Sequence, residues 1–191
     1  MFIDGAKLES RAGRYTFVWR KSVEKQLVRV KEKMKALTGL TTSAAVRSML
    51  EGESRGIAFV RGKGKHKSQA QRDWEEKQAL LERWERYEEM LSTMGEGRNS
   101  YSKTDTDATF MRMKEDHLRN GQLKPGYNVQ IAVNSEYITG LEAFSDRTDV
   151  RTLRPMLDTM SRWHQARYEE VVADAGYESL ENYLYLARCA S

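Results

Sequence analysis

The sequence predicts an α/β fold in which a long antiparallel helical hairpin separates the first strand from the rest of a mixed sheet. Three observations carry that expectation. The chain opens on a short apolar run, Phe2-Ile3, that ends in Asp4-Gly5. From Trp19 to Met94 the apolar residues recur at a helical period. Beyond residue 100 the pattern turns to strand-like alternation and then to strands alternating with helices.

Each element has its own local reason. Phe2-Ile3 reads as a strand, Gly5 as a bend, and Ala6 to Glu9 as a second short extended piece. Trp19, Val23, Leu27, Val30, Met34 and Leu37 mark one face of a helix that Gly39 ends. Thr41-Thr42-Ser43 offers caps for a short helix through Leu50. A glycine-rich basic loop follows, Arg61 to Lys67, and then a long helix with Trp74, Leu81, Trp84, Tyr87, Leu91 and Met94 on one stripe. The two long stripes should face each other, with the basic loop near the tip.

Residues 100–124 are polar and turn-rich. Tyr127, Val129, Ile131 and Val133 alternate with polar or small residues, which predicts a strand buried mainly on its apolar face. Ser135-Glu136 turns it into a second strand, Tyr137 to Phe144, to make a hairpin. Thr148 or Asp149 caps a helix holding Leu153, Met156, Leu157 and Met160, with Trp163 continuing its face. Val171 to Asp174 reads as a central parallel strand, and Ser179 to Ala187 as a last helix. The expected division is a first strand segment of the core at 1–13, a helical-hairpin insertion at 14–100, and the remainder of the α/β core at 101–191.

Composition narrows the function. Charged residues make up 31% of the 191, against 39% hydrophobic, which suits a globular part joined to a solvated helical part. The net charge of +4 is a mild basic bias, compatible with a polyanionic partner. Cys189 is the only cysteine, so no disulfide framework or cysteine-based zinc site can form within the chain. No run is long and apolar enough to span a membrane, and no signal peptide is visible, so a cytoplasmic home is expected. Both ends cut through predicted structure, which leads to the expectation of a fragment truncated at both ends.

Two carboxylates stand out. Asp4 and Asp174 each end a short apolar strand and are each followed by small residues, Gly5 and Ala175-Gly176. In an α/β sheet, functional groups gather at the carboxyl ends of parallel strands. Two converging carboxylates repel unless a hard cation neutralises them, and Mg²⁺ takes such oxygen ligands. The spacing by itself leaves open whether each Asp only terminates its strand at a turn.

Several stretches together resemble the DDE transposases of bacterial insertion sequences. They are Phe2-Ile3-Asp4-Gly5-Ala6-Lys7-Leu8-Glu9 with Arg14 to Lys21, Asp105-Thr106-Asp107-Ala108-Thr109-Phe110-Met111-Arg112-Met113-Lys114-Glu115-Asp116, Leu123-Lys124-Pro125-Gly126-Tyr127-Asn128-Val129-Gln130-Ile131-Ala132-Val133, and Val172-Ala173-Asp174-Ala175-Gly176-Tyr177. They occur in family order over nearly the whole chain. The resemblance implies a ribonuclease-H-like core with a helical insertion between its first and second strands. It implies DNA transposition by metal-dependent phosphodiester hydrolysis and strand transfer at transposon ends, with Mg²⁺ or Mn²⁺ held by Asp4 and Asp174 as catalytic metal ligands. Transposon-end and target DNA are the implied partners, and a homodimer is one assembly it allows. A third ligand, a Glu on a later helix, is implied but is not found here, because Glu178 and Glu181 lie too near Asp174. The chain alone is therefore expected to be inactive.

Other polar features have two readings each. Arg61, Lys63, Lys65 and Lys67 either track a DNA backbone or form a solvated loop. His117 and Lys124 flank a turn before a strand, and Lys124 is a candidate backbone-phosphate contact. Asp105 and Asp107 fit loop capping better than metal binding. The rival function is a non-enzymatic helical-hairpin protein that binds DNA or partner subunits by charge.

Overall fold

The computed structural model describes residues 1–13, 15–62, 66–113, 121–165 and 168–189. It divides into two compact units, Met1–Val18 with Glu96–Ser191, and Trp19–Gly95.

The Trp19–Gly95 unit is three helices, α1 (Arg20–Thr38), α2 (Ser43–Ser54) and α3 (Gln69–Met94). Gly39 closes α1 in the left-handed region, φ 73°, where a side chain would be strained. Thr42 and Ser68 cap α2 and α3 by accepting from the backbone N–H groups of Ala45 and Gln71. The core joins Leu27, Val30 and Met34 of α1 to Val46 and Leu50 of α2 and Leu80, Leu81 and Trp84 of α3. The long helices run antiparallel. Arg20 donates to the Gly95 carbonyl, Lys31 pairs with Glu88 at 2.9 Å, and Lys33 pairs with Glu76 at 2.7 Å. Gln71, which is buried, exchanges two hydrogen bonds with the Val60 backbone (2.9 and 3.1 Å) and so pins the start of the basic loop.

The other unit is built on β1 (Phe2–Glu9), β2 (Phe17–Trp19), β3 (Ser100–Ser102), β4 (Thr109–Met111), β5 (Lys124–Asn134), β6 (Tyr137–Phe144), α4 (Leu153–His164), β7 (Val172–Ala173) and α5 (Leu180–Cys189). Its main sheet has the order β4-β5-β1-β7, with β6 also paired to β5. β1 lies antiparallel to β5, from Phe2 opposite Val133 to Glu9 opposite Gly126. β7 lies parallel to β1, with Phe2 opposite Val172 and Ile3 opposite Ala173. Ser135 and Glu136, both at positive φ (48° and 70°), make the two-residue turn between β5 and β6. α4 covers one face of the sheet, where Leu153, Met156 and Met160 pack with Ile3, Ala132 and Tyr177. Gly140 lets that helix come close, since a Cβ there would stand 2.9 Å from the Met156 methyl.

Five expectations need correction. Gly5 is not a bend: β1 is one strand, held straight because all eight of its residues face β5. The helices do not follow β1 directly, because the apolar run Phe17–Trp19 is itself a strand, paired with Ser100–Ser102. The turn-rich stretch after residue 100 contains two short buried strands, β3 and β4. Trp163 is 62% exposed, since α4 turns it away from the core that holds Met156 and Met160. β7 is a two-residue exposed strand at the sheet edge, not a central one.

Candidate active site

Asp4 lies on β1 with its side chain on the face opposite α4, the face it shares with the exposed Phe2 and Leu8. Asp174 directly follows β7. The parallel register ends at Ile3–Ala173, so Asp4 and Asp174 each stand one residue past the last pair, at the same end of neighbouring strands. Both residues are exposed. Each carboxylate is oriented by a nearby backbone amide. Gly5 N–H donates to Asp4 Oδ1 at 2.7 Å, and Gly176 N–H donates to Asp174 Oδ1 at 2.8 Å. The second bond caps a 3-10 turn, Ala175–Tyr177, that swings Tyr177 inward to only 3% exposure.

The strand β5 behaves opposite to expectation. Its apolar residues Tyr127, Val129, Ile131 and Val133 are half-buried, whereas Asn128 and Gln130 are fully buried at 0%. The alternation was visible, but the face was misassigned, because the amides satisfy one another on the α4 side. Gln130 Nε2 donates to Asn128 Oδ1 (3.0 Å) and to Asp149 Oδ1 (3.1 Å), and Asn128 Nδ2 donates to the same Asp149 oxygen (2.7 Å). Tyr177 donates its hydroxyl to Gln130 Oε1. Asp149, expected as a helix cap, thus spends its carboxylate on the buried amides. Burial first, then the nearby negative charges of Asp149, Asp4 and Asp174, push the Tyr177 hydroxyl pKa well up. Gln130, Asn128, Asp149 and Tyr177 escaped the sequence reading. The one signal for them was a strand whose polar side alternates as cleanly as its apolar side.

The remaining candidates fall elsewhere. Lys124, at the start of β5, pairs with Glu9 at 2.7 Å. Lys67 pairs with Glu75 at 2.5 Å, and Arg61 is exposed beside it in the loop. Lys63, Lys65 and His117 lie outside the described residues. Asp105 accepts from Ser10 Oγ (2.5 Å) and Tyr127 Oη (2.8 Å), so it organises its loop. The Ser10 hydroxyl holds its carboxyl below the usual range, and burial together with Asp105 pushes Tyr127 up to about 12. Glu178 accepts from the Tyr183 hydroxyl at 3.0 Å.

Asp4 and Asp174 offer acceptor-only oxygens of the kind a hard divalent cation prefers. Among the described residues, no group of three or more His, Cys, Asp or Glu side chains is placed to hold a metal ion. The pair therefore fits as part of a ligand set, not as a complete one.

Residues 98–190 match the transposase DDE domain family. That stretch of the chain is similar to the transposase DDE domain. The matched stretch contains Asp174, Gln130 and Asp149, while Asp4 precedes it. The family acts on DNA and generally uses divalent metal ions. Neither the curated proteins nor the solved structures yield a match. Among the described residues, no helix is long and apolar enough to cross a membrane.

Proposed function

We propose that this chain is part of a DDE transposase, carries two carboxylates of a metal-dependent phosphodiester site, Asp4 and Asp174, and serves DNA transposition by hydrolysis and strand transfer at transposon ends. The observation that carries the reading is the parallel β1–β7 register, which brings two exposed Asp residues together from opposite ends of the sequence. The mixed sheet with a helix on one face is compatible with a ribonuclease-H-like core.

Two carboxylates at the same end of neighbouring strands repel each other when they come close, a cost that a bound cation would offset. Backbone amides at Gly5 and Gly176 fix one oxygen of each group and so orient the pair. Mg²⁺ or Mn²⁺ bound there would activate the attacking oxygen and stabilise the leaving oxygen of a phosphodiester. Among the described residues no third such side chain completes a ligand set, so the chain alone is expected to bind the ion weakly and not to turn over. Lys124 and Lys67 would reach DNA phosphate only by exchanging Glu9 and Glu75 for it, and Arg61 would add to the same attraction.

The deciding experiment is Mn²⁺ binding by the whole chain, followed through the electron paramagnetic resonance of free Mn²⁺. Binding should fall at least about tenfold in Asp4→Asn and again in Asp174→Asn, since each change removes a charged ligand. Affinity for Mn²⁺ that ignores both substitutions would overturn the reading. If DNA binding is also independent of divalent ions, the non-enzymatic helical binding protein becomes the better account.

A further inference from the structure

Gln130 sits directly opposite Gly5 in the β1–β5 ladder, yet its side chain does not stop there. The strand order is β5-β1-β7, so a side chain leaving β5 must cross β1 before it reaches anything attached to β7. Gln130 makes that crossing on the buried face. Its Oε1 takes the Tyr177 hydroxyl, which belongs to the turn that Asp174 caps.

Gly5 is what allows the passage. A Cβ at this position would stand 2.6 Å from Gln130 Nε2 and 2.9 Å from Asp149 Oδ1. Real Cβ atoms do not approach that closely, so the residue after Asp4 has to lack a side chain for Gln130 to pass beneath it.

The amide also has its orientation fixed. Its Nε2 donates to Asn128 Oδ1 and Asp149 Oδ1, which leaves Oε1 for Tyr177. All four groups are partnered, and Asn128, Gln130 and Tyr177 are buried. Such a network is held firmly when satisfied and costs stability when broken.

We infer that Gln130 is a positioning residue for the Asp4–Asp174 pair, and that the Tyr177–Gln130 bridge beneath Gly5 sets the separation of the two carboxylates. The two-residue ladder between β1 and β7 is short, and the bridge adds a side-chain tie across the same three strands. Asp149 and Asn128 act one step further back, by fixing which way the Gln130 amide points. The inference rests on reading Asp4 and Asp174 as the reacting pair, but its geometric content is testable without a metal.

The test uses the full chain with Cys189→Ser, carrying Asp4→Cys and Asp174→Cys together. The readout is the effective concentration of the two thiols in a glutathione redox buffer. A second pair, Val133→Cys with Ile138→Cys, lies opposite each other on β5 and β6 and serves as the control for general loosening. Tyr177→Phe removes only the hydroxyl and should preserve the fold. Gln130→Met keeps the bulk and removes the amide.

Each substitution should lower the effective concentration for the 4–174 pair about tenfold and leave the 133–138 pair unchanged. The double variant should fall no further than either single one, as expected for two ends of one bridge. An unchanged 4–174 value in Tyr177→Phe, or an equal fall in both pairs, would overturn the inference. Mn²⁺ titration of Tyr177→Phe, with both Asp residues intact, separates the two ideas. A wild-type chain that binds no Mn²⁺ at Asp4 and Asp174 removes the catalytic reading and leaves the thiol result to decide the bridge.

Discussion

The helical unit and the α/β unit are stabilised in different ways. In the helical unit the residues at the core centre are apolar: Met34, Val46, Leu50, Leu81 and Trp84 are each 2% exposed or less. In the α/β unit an equally buried layer is polar, with Asn128 and Gln130 at 0%. Burying apolar surface is non-directional and tolerates exchange of similar shapes. A buried amide demands partners at defined positions and angles. The helical unit therefore specifies a fold, while the α/β unit specifies a geometry, and the geometry is at the candidate site.

The largest test of this contrast is Trp84→Ala. Removing a side chain that is 1% exposed should destabilise the helical unit by about 3–5 kcal/mol, seen as an earlier loss of helical circular dichroism in urea. Intrinsic fluorescence gives a second view, because Trp19, Trp74 and Trp84 lie in this unit and only Trp163 lies in the other. If both units shift by the same amount, the contrast breaks, because they then unfold as one.

A middle-sized effect is expected from Gly5→Ala. The added methyl would collide with the Gln130 amide and the Asp149 carboxylate, costing about 1–3 kcal/mol in a urea titration. Gln130→Met in the same background should relieve part of that cost, which would show that the conflict is with the amide and not with the backbone. Additive losses would indicate instead that β1 itself is strained.

The smallest effect separates loop order from site order. Asp105 is held low in pKa chiefly by the Ser10 hydroxyl. A depressed carboxylate stabilises the fold above its unfolded pKa of about 3.9, and the gain is lost as pH falls through the folded value. Asp105→Asn should thus cost about 1 kcal/mol at pH 7, after allowance for solvent screening, and progressively less as pH falls through the lowered folded value. A gap that persists in acid would mean that the amide fails sterically, not electrostatically.

These differences explain which parts could be read from the residues alone. The stripe from Trp74 to Met94 foretold α3 because helical burial follows a fixed period. The β5–β6 hairpin was visible because two alternating runs flank a two-residue connection. Asp4 and Asp174 are expected as neighbours from their strand ends and from the resemblance, and the structure pairs the residues just before them, Ile3 and Ala173. The buried face of β5 was misread because periodicity tells which residues share a face, and not which face turns inward. Polar residues defeat the usual assumption whenever they can satisfy one another. Gly5 was misread for a similar reason: a glycine after an Asp suggests a turn, but here its role is to leave room for a side chain from the next strand.

The hydrogen bond from Arg20 to the Gly95 carbonyl has a kinetic consequence. It joins the first turn of α1 to the residue just past α3, so the helical unit closes its own ends. Bringing together the ends of an unstructured loop of that length would cost on the order of 4 kcal/mol in chain entropy. Helices form and pair through contacts close in sequence, which are the fast ones. Once they have paired, β2 and β3 are only a short effective chain length apart. The sheet can then assemble as though the intervening segment were a tight turn, and the slow search for long-range strand pairing is largely removed.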